Sequence, residues 1–254
     1  MLVIDVQPTF MPGGGLPVPG GDEVVLVIRE LMMMFPHERT IATKDRHPRG
    51  HISLASSYVG VEPMTVLTEE MMDGWFDPNR DAERIASHAK FSHGDLIGYL
   101  ARVGSQVLWP DHAIAGTEEE ELHSGPRGNI RWPEEPFGYV LVKGTHPCED
   151  SYSGFKGNAG TPTELADVLR DRGVTRIFVC GLALDYCVRF TAEDGKAAGF
   201  EVAVVVDATR AVVPHDAESV YAALREKGIR LIQSENIFGE SASARRSREL
   251  CGND

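Results

Sequence analysis

Short apolar runs rich in β-branched residues alternate with longer stretches whose apolar residues recur every three or four positions. That alternation confines the chain to a small set of folds. The short runs are residues 2–6 (LVIDV), 39–44 (RTIATK), 139–142, 176–180, 201–206 and 230–232. Each is nearly continuously apolar, as a strand must be when helices cover both faces of its sheet. Between them, residues 22–35 line up Val24, Val25, Ile28, Leu31 and Met32 on one helical stripe. Residues 163–172, 187–198 and 216–227 read as further helices, each stopped by a following or terminal glycine signal at Gly173, Gly199 and Gly228.

Strands alternating with helices imply parallel crossovers. The expected fold is α/β: a three-layer Rossmann-like arrangement with a mostly parallel six-stranded sheet, helices on both faces and a helical insertion. The whole of residues 1–254 is expected to form a single domain. The insertion, at about 58–106, reads as short helical pieces at 67–76, 81–90 and 94–103, folded over one end of the sheet. From about residue 239 the chain is polar, and this tail is expected to be mobile or ordered only in an oligomer.

Composition excludes several classes of function. Lys and Arg total 25 against 38 Asp and Glu, a net charge of −13, which disfavours a nucleic-acid partner. Four irregularly spaced cysteines make no disulfide scaffold and point to a reducing compartment. No run approaches the roughly 18 apolar residues needed to cross a bilayer. The opening MLVIDVQPTF lacks the basic segment of a signal peptide. The expectation is a cytoplasmic protein acting on a small molecule, with no membrane or nucleic-acid partner. The acidic run 118–122 (EEEEL) is expected to be a solvated face.

Certain residues break the apolar pattern in ways that suggest chemistry. Asp5 interrupts a buried strand, so its carboxylate needs a cationic or hydrogen-bonding partner or a raised pKa. Otherwise it merely caps the following loop. Lys143 ends the run YVLVK in the same way, where a plain exit to solvent is the simpler alternative. Cys187 follows the strand ending at Cys180-Gly181, near a helix start for which Asp185 is the expected N-cap. A thiol in a first helical turn is favoured as thiolate, and the same amides suit an oxyanion. The alternative is a small buried hydrophobe, which suits Cys180 better. If the strands are neighbours, acid, lysine and thiol share one crevice. Asp45 and His47, two apart in TKDRHPRGH, can converge on one ion, with His51 or His112 as a third donor.

Taken in order, LVIDVQPTF, GGDEV, TKDRHPRGHISL, WPDHAIAGT, KGTHPCEDSYSGF, GLALDYCVRFTAEDGKAAGF and VVVDATRAV resemble the nicotinamidase/pyrazinamidase branch of the isochorismatase-like cysteine hydrolase superfamily along nearly the whole chain. The resemblance implies a catalytic triad of Asp5, Lys143 and Cys187. It implies an oxyanion hole from the backbone N–H groups of Ala183 and Cys187, and a non-prolyl cis peptide at Leu182-Ala183. Asp45, His47 and His112 match the metal ligands, with His51 at a position that ligates in some members. The ion is expected to be one divalent metal, zinc first, with iron or manganese as alternatives. Phe10, Trp109, Tyr152 and Leu182 match substrate-binding positions. The implied reaction is hydrolysis of nicotinamide to nicotinate and ammonia, in NAD salvage and on pyrazinamide as well, by a homo-oligomer. Two departures stand out: Ala113 replaces the usual cysteine of the WPDH segment, and the insertion is longer than in compact members. A sister amidohydrolase acting on a carbamoyl or ureido substrate is the nearest rival, and a non-catalytic α/β binding protein is the reading from another class.

Overall fold

The computed structural model describes residues 1–71, 84–123 and 136–237. The polar tail therefore lies outside the described residues. All six apolar runs form strands of one sheet: β1 (Leu2–Ile4), β2 (Ile41–Asp45), β5 (Tyr139–Lys143), β6 (Arg176–Leu182), β7 (Glu201–Arg210) and β8 (Arg230–Ile232). Their spatial order is β5-β2-β1-β6-β7-β8, and every pairing is parallel.

Period-two alternation along these strands builds two separate cores. Val3, Cys180, Ala203 and Val205 face one side and pack on Val24, Val25, Ile28 and Leu31 of α1 (Val24–Met32). Leu2, Ile4, Val179 and Val204 face the other side, with Val202 beside them. There they meet Leu165 and Leu169 of α3 (Leu165–Asp171), Ala192 of α4 (Arg189–Ala197), and Val220 and Leu224 of α5 (Ala217–Glu226). This is the three-layer arrangement expected from the sequence.

The strand order reverses direction between β1 and β6. From β1 the chain builds toward β2 and β5, whereas β6 leads to β7 and β8 on the opposite side. Open α/β sheets place their ligands outside the carboxyl ends of the strands at such a point. Here Asp5 follows β1, Asp45 and Lys143 end β2 and β5, and Cys187 follows β6.

The insertion departs from an all-helical reading. Its third piece is helical, as α2 (His93–Val103), and begins with a reciprocal capping box between Ser92 and Asp95. However, β3 (Val66–Thr68) and β4 (Ser105–Val107) pair antiparallel, so residues 67–68 of the first expected helix are strand. Three-residue strands are too short to declare a period in sequence. Residues 84–90 of the second piece form no helix, and 72–83 lie outside the described residues. The insertion has a small core of its own, in which Leu67, Leu96, Tyr99, Leu100 and Leu108 pack with Ile52.

Candidate active site

Asp5 sits one residue beyond β1, fully buried and with φ of 46°, a left-handed conformation rare for a non-glycine residue. Its carboxylate accepts a hydrogen bond from Thr43 Oγ1 at 2.6 Å and pairs with Lys143 Nζ at 2.9 Å. The ammonium of Lys143 also reaches Asp45 Oδ1 at 2.6 Å, the carbonyl of Ser151 at 2.8 Å and Cys187 Sγ at 3.5 Å. Neither of the simpler alternatives holds: Asp5 does not merely cap a loop, and Lys143 is 3 % exposed rather than leaving for solvent.

The electrostatics of this cluster follow from its dryness. Burial works against the charge on Lys143, but the carboxylates of Asp45 and Asp5 outweigh it and hold the ammonium well above its usual pKa. Burial likewise raises Asp5 and Asp45, with the Lys143 charge opposing. For Cys187 burial again dominates and pushes the thiol up; Lys143 pulls it down, while Asp5 and Asp45 add to the rise. Burial thus works against the thiolate expected from a helix terminus, and hydrogen bonding to Asp5 also favours the protonated thiol.

The helix start also differs from expectation. The N-cap is Ala183, and the first turn, Leu184–Val188, is a π-helical turn carrying Cys187. Asp185 does not cap its own helix. The expected non-prolyl cis peptide is present at Leu182-Ala183. Glu120, in the acidic run read as solvated, is 4 % exposed and pairs with Lys44 at 3.0 Å and Arg46 at 3.3 Å. Gln7, fully buried, grips Asp45 by its backbone. Its Oε1 accepts the Asp45 N–H at 2.8 Å and its Nε2 donates to the Asp45 carbonyl at 2.8 Å, so a side chain continues the pairing that β1 has left.

Donor atoms of Asp45, His47 and His112 all lie within 4.8 Å of one another. His47 Nδ1 is 3.0 Å from the carbonyl of Gly144, and His112 Nδ1 is 2.8 Å from that of Pro110. A carbonyl only accepts, so each Nδ1 carries the proton and each Nε2 keeps its lone pair. A backbone acceptor behind the ligand is how metal-binding imidazoles are oriented. Burial, with help from His112 and Lys143, holds His47 well below its ordinary pKa, so it is neutral as a ligand must be. The three residues therefore fit a divalent ion. His51 lies beside His47, ring centroids 4.5 Å apart, but both its nitrogens are used. Nδ1 accepts from Ser53 Oγ at 2.8 Å and Nε2 donates to the carbonyl of Glu149 at 3.2 Å.

A pocket opens onto these groups. Phe10, Trp109, Tyr152, Ala183 and Cys187 line it, together with Asp45, His47 and His112. Leu182 does not; its side chain is buried in the core. Leu16, Asp150, Tyr186 and Val212 also line the pocket, and none was singled out from sequence. Asp150 is held by Gln106, which donates from Nε2 at 2.9 Å and accepts from Tyr99 at 2.5 Å. The insertion thus braces the pocket wall through Gln106.

The isochorismatase domain model matches residues 99–236. A nicotinamidase of Acinetobacter baylyi is 31 % identical over 94 % of this chain and 94 % of its own length. Among solved structures, the pyrazinamidase of Pyrococcus horikoshii in complex with zinc superposes with a TM-score of 0.63 at 30 % identity, covering 91 % of this chain and 97 % of that one. The PnC1 protein of L. infantum in complex with nicotinate gives a TM-score of 0.67 at 28 % identity, covering 92 % and 91 %.

Proposed function

This chain belongs to the isochorismatase-like hydrolase family, on its nicotinamidase/pyrazinamidase branch, and from that membership and the geometry of the site we propose that it hydrolyses nicotinamide to nicotinate and ammonia. The observation that carries the reading is the single ammonium of Lys143, in contact at once with Asp5, Asp45 and Cys187. Asp5 is the base, Cys187 the nucleophile and Lys143 the stabiliser of the anions between them.

Asp5 takes the proton from the Cys187 thiol as Sγ adds to the carboxamide carbon. The carbonyl electron pair moves to oxygen, and the backbone N–H groups of Ala183 and Cys187 receive that oxyanion. Collapse re-forms the carbonyl and breaks the C–N bond; Asp5 returns its proton to the departing nitrogen, which leaves as ammonia. Asp5 then accepts a proton from water as the water oxygen adds to the thioester. The C–S bond breaks, nicotinic acid is released, and the sulfur regains its proton. Burying Asp5 helps both halves of this cycle. A raised carboxyl pKa brings the acid and base forms nearer in energy, so one residue can take and return the proton.

Asp45, His47 and His112 are the residues that would hold a divalent ion, zinc first and iron or manganese otherwise, whose contribution there is Lewis-acid binding of the pyridine nitrogen. Phe10, Trp109 and Tyr152 line the pocket and supply the aromatic walls for the ring. The metal-ligand set favours this reading over a carbamoyl or ureido amidohydrolase, whose chemistry needs only the triad.

The test is ammonia release from nicotinamide by the purified protein, beside Cys187→Ala and chelator-treated protein. The expected result is release that falls by at least about a thousandfold in the Cys187→Ala variant and is lost on chelation. Ammonia release from a ureido compound but not from nicotinamide would overturn the substrate assignment and leave the triad standing.

A further inference from the structure

Asp185 lies two residues before the nucleophile, and its carboxylate reaches a segment far along the chain. Oδ1 accepts the backbone N–H of Val212 and Oδ2 that of Val213, both at 2.9 Å. These two amides lie just beyond the end of β7, where the chain leaves the sheet for the turn at Pro214–Asp216. They lie 27 and 28 residues away from Asp185 in sequence, so these bonds join two segments distant along the chain. Val212 is the residue this clamp presents to the pocket, on the same lining as Tyr186 and Cys187.

We infer that Asp185 is a positioning residue that sets ring-size selectivity, by fixing Val212 as the apolar wall of the substrate pocket. The inference rests on the amidase reading. The physical argument has two steps. A carboxylate bonded to two successive amides fixes both the position and the orientation of a short backbone segment, and such charge-assisted bonds are about twice as strong as neutral ones. A loop fixed in that way keeps the same distance between Val212 and the first turn of the nucleophile helix whenever the ring enters. With the clamp gone, the wall recedes or fluctuates, and a larger ring is no longer refused. The Cys187 sulfur keeps its contact with Lys143 at 3.5 Å, so the bond-making step is not expected to suffer.

The other walls cannot perform this function alone. Trp109, Tyr152 and Tyr186 brace one another in edge-on contacts, Trp109 to Tyr186 at 4.7 Å and Tyr152 to Tyr186 at 5.4 Å between ring centroids. Those ring contacts are made without the Asp185 side chain. Val212 sits on a connecting segment, and the two amides bonded to Asp185 tie that segment to the nucleophile helix.

The experiment measures binding of nicotinamide and of quinoline-3-carboxamide, which adds a fused ring, in a Cys187→Ala background where neither is turned over. It compares Asp185 with Asp185→Asn and Asp185→Ala, and adds Val212→Ala as the direct removal of the wall. The expected result is a preference for nicotinamide that shrinks by about tenfold in Asp185→Ala and Val212→Ala, with Asp185→Asn between, since its one remaining carbonyl oxygen keeps one bond. In the Cys187 enzyme, Asp185→Asn is expected to raise KM for nicotinamide and keep kcat within about twofold. A preference that stays unchanged while Cys187→Ala still binds nicotinamide would overturn the inference alone. A fall in kcat at constant KM would also overturn it, because Asp185 would then act on the nucleophile. Failure of Cys187→Ala to bind nicotinamide at all would remove the amidase reading and this inference with it.

Discussion

Gly144 and His47 occupy one another's space. The Gly144 carbonyl accepts from His47 Nδ1 at 3.0 Å, and a Cβ on Gly144 would stand 2.5 Å from His47 Cε1 and 3.3 Å from Asp45 Oδ1. Gly144 also has φ of 68°, where a side chain is strained whatever the space around it. The residue after Lys143 is thus the back wall of the metal-ligand cluster, and only glycine permits the imidazole to stand where it does.

Gly144→Ala is therefore expected to displace His47 while leaving Cys187 in place. Metal affinity should fall by about 10- to 100-fold, the range found when a ligand loses its supporting partner. Competition with a chromophoric chelator measures it, and affinity equal to that of the unmodified chain would remove Gly144 from the ligand scaffold.

The two histidines that residue spacing alone left open as a third donor are separated by their hydrogen bonds. His112 keeps Nε2 for an ion, whereas His51 uses both nitrogens on Ser53 and Glu149. Burial has also pushed His51 down to about 3, so it is neutral. His112→Ala is expected to abolish stoichiometric metal binding. His51→Gln should keep one ion per chain and lose stability instead, by about 1–3 kcal/mol for the buried partners it leaves. Metal content after dialysis, set beside a denaturant titration, separates the two.

Much of this site was legible because chemistry interrupts a pattern. Asp5 and Lys143 are charges at the ends of buried strands, and Cys187 follows another at a helix start. Asp45 and His47 show the two-residue spacing of an extended ligand pair. Val212 and Asp150 carry no such mark, and long-range bonds to Asp185 and Gln106 help to hold them at the pocket. Glu120 stands in a run of four like residues, and no local signal distinguishes the buried glutamate from its exposed neighbour Glu121. The short strands β3 and β4 fail for another reason: three residues do not establish a period. Resemblance to a family named the ligand positions, but the tautomers that favour His112 over His51 emerge only from the folded chain.

Lys143→Met should destabilise more than any single contact suggests. The methionine fills most of the volume, but Asp5 and Asp45 remain buried with no cation between them. Breaking a buried ion pair from one side costs about 3–5 kcal/mol. Adding Asp5→Asn removes one of the two stranded carboxylates, so Lys143→Met/Asp5→Asn is expected to recover about half of that loss. Urea titrations of the single and double variants decide it. A double variant less stable than Lys143→Met would mean that Thr43, not Lys143, is the partner on which Asp5 chiefly depends.

Cys180 provides a pH test that is independent of catalysis. It is fully buried in β6, bonded only weakly to the Leu2 carbonyl at 3.4 Å, and burial pushes its thiol up to about 12 from 9.0. An acid whose pKa is raised on folding contributes stability that is complete below the unfolded value and lost as pH rises toward the folded one. Above pH 9 the unfolded chain loses this proton while the folded chain keeps it, so unfolding becomes easier across the window from 9 to 12. Between pH 8 and pH 10 the effect amounts to about 1.4 kcal/mol. Cys180→Val removes the ionisable group and keeps an apolar side chain. The stability difference between the native chain and Cys180→Val, whatever its value at pH 8, should therefore shift by that amount in favour of the variant at pH 10. A difference that stays constant would mean that the Cys180 thiol is solvated in the folded protein, and with it the face of the sheet that α1 covers.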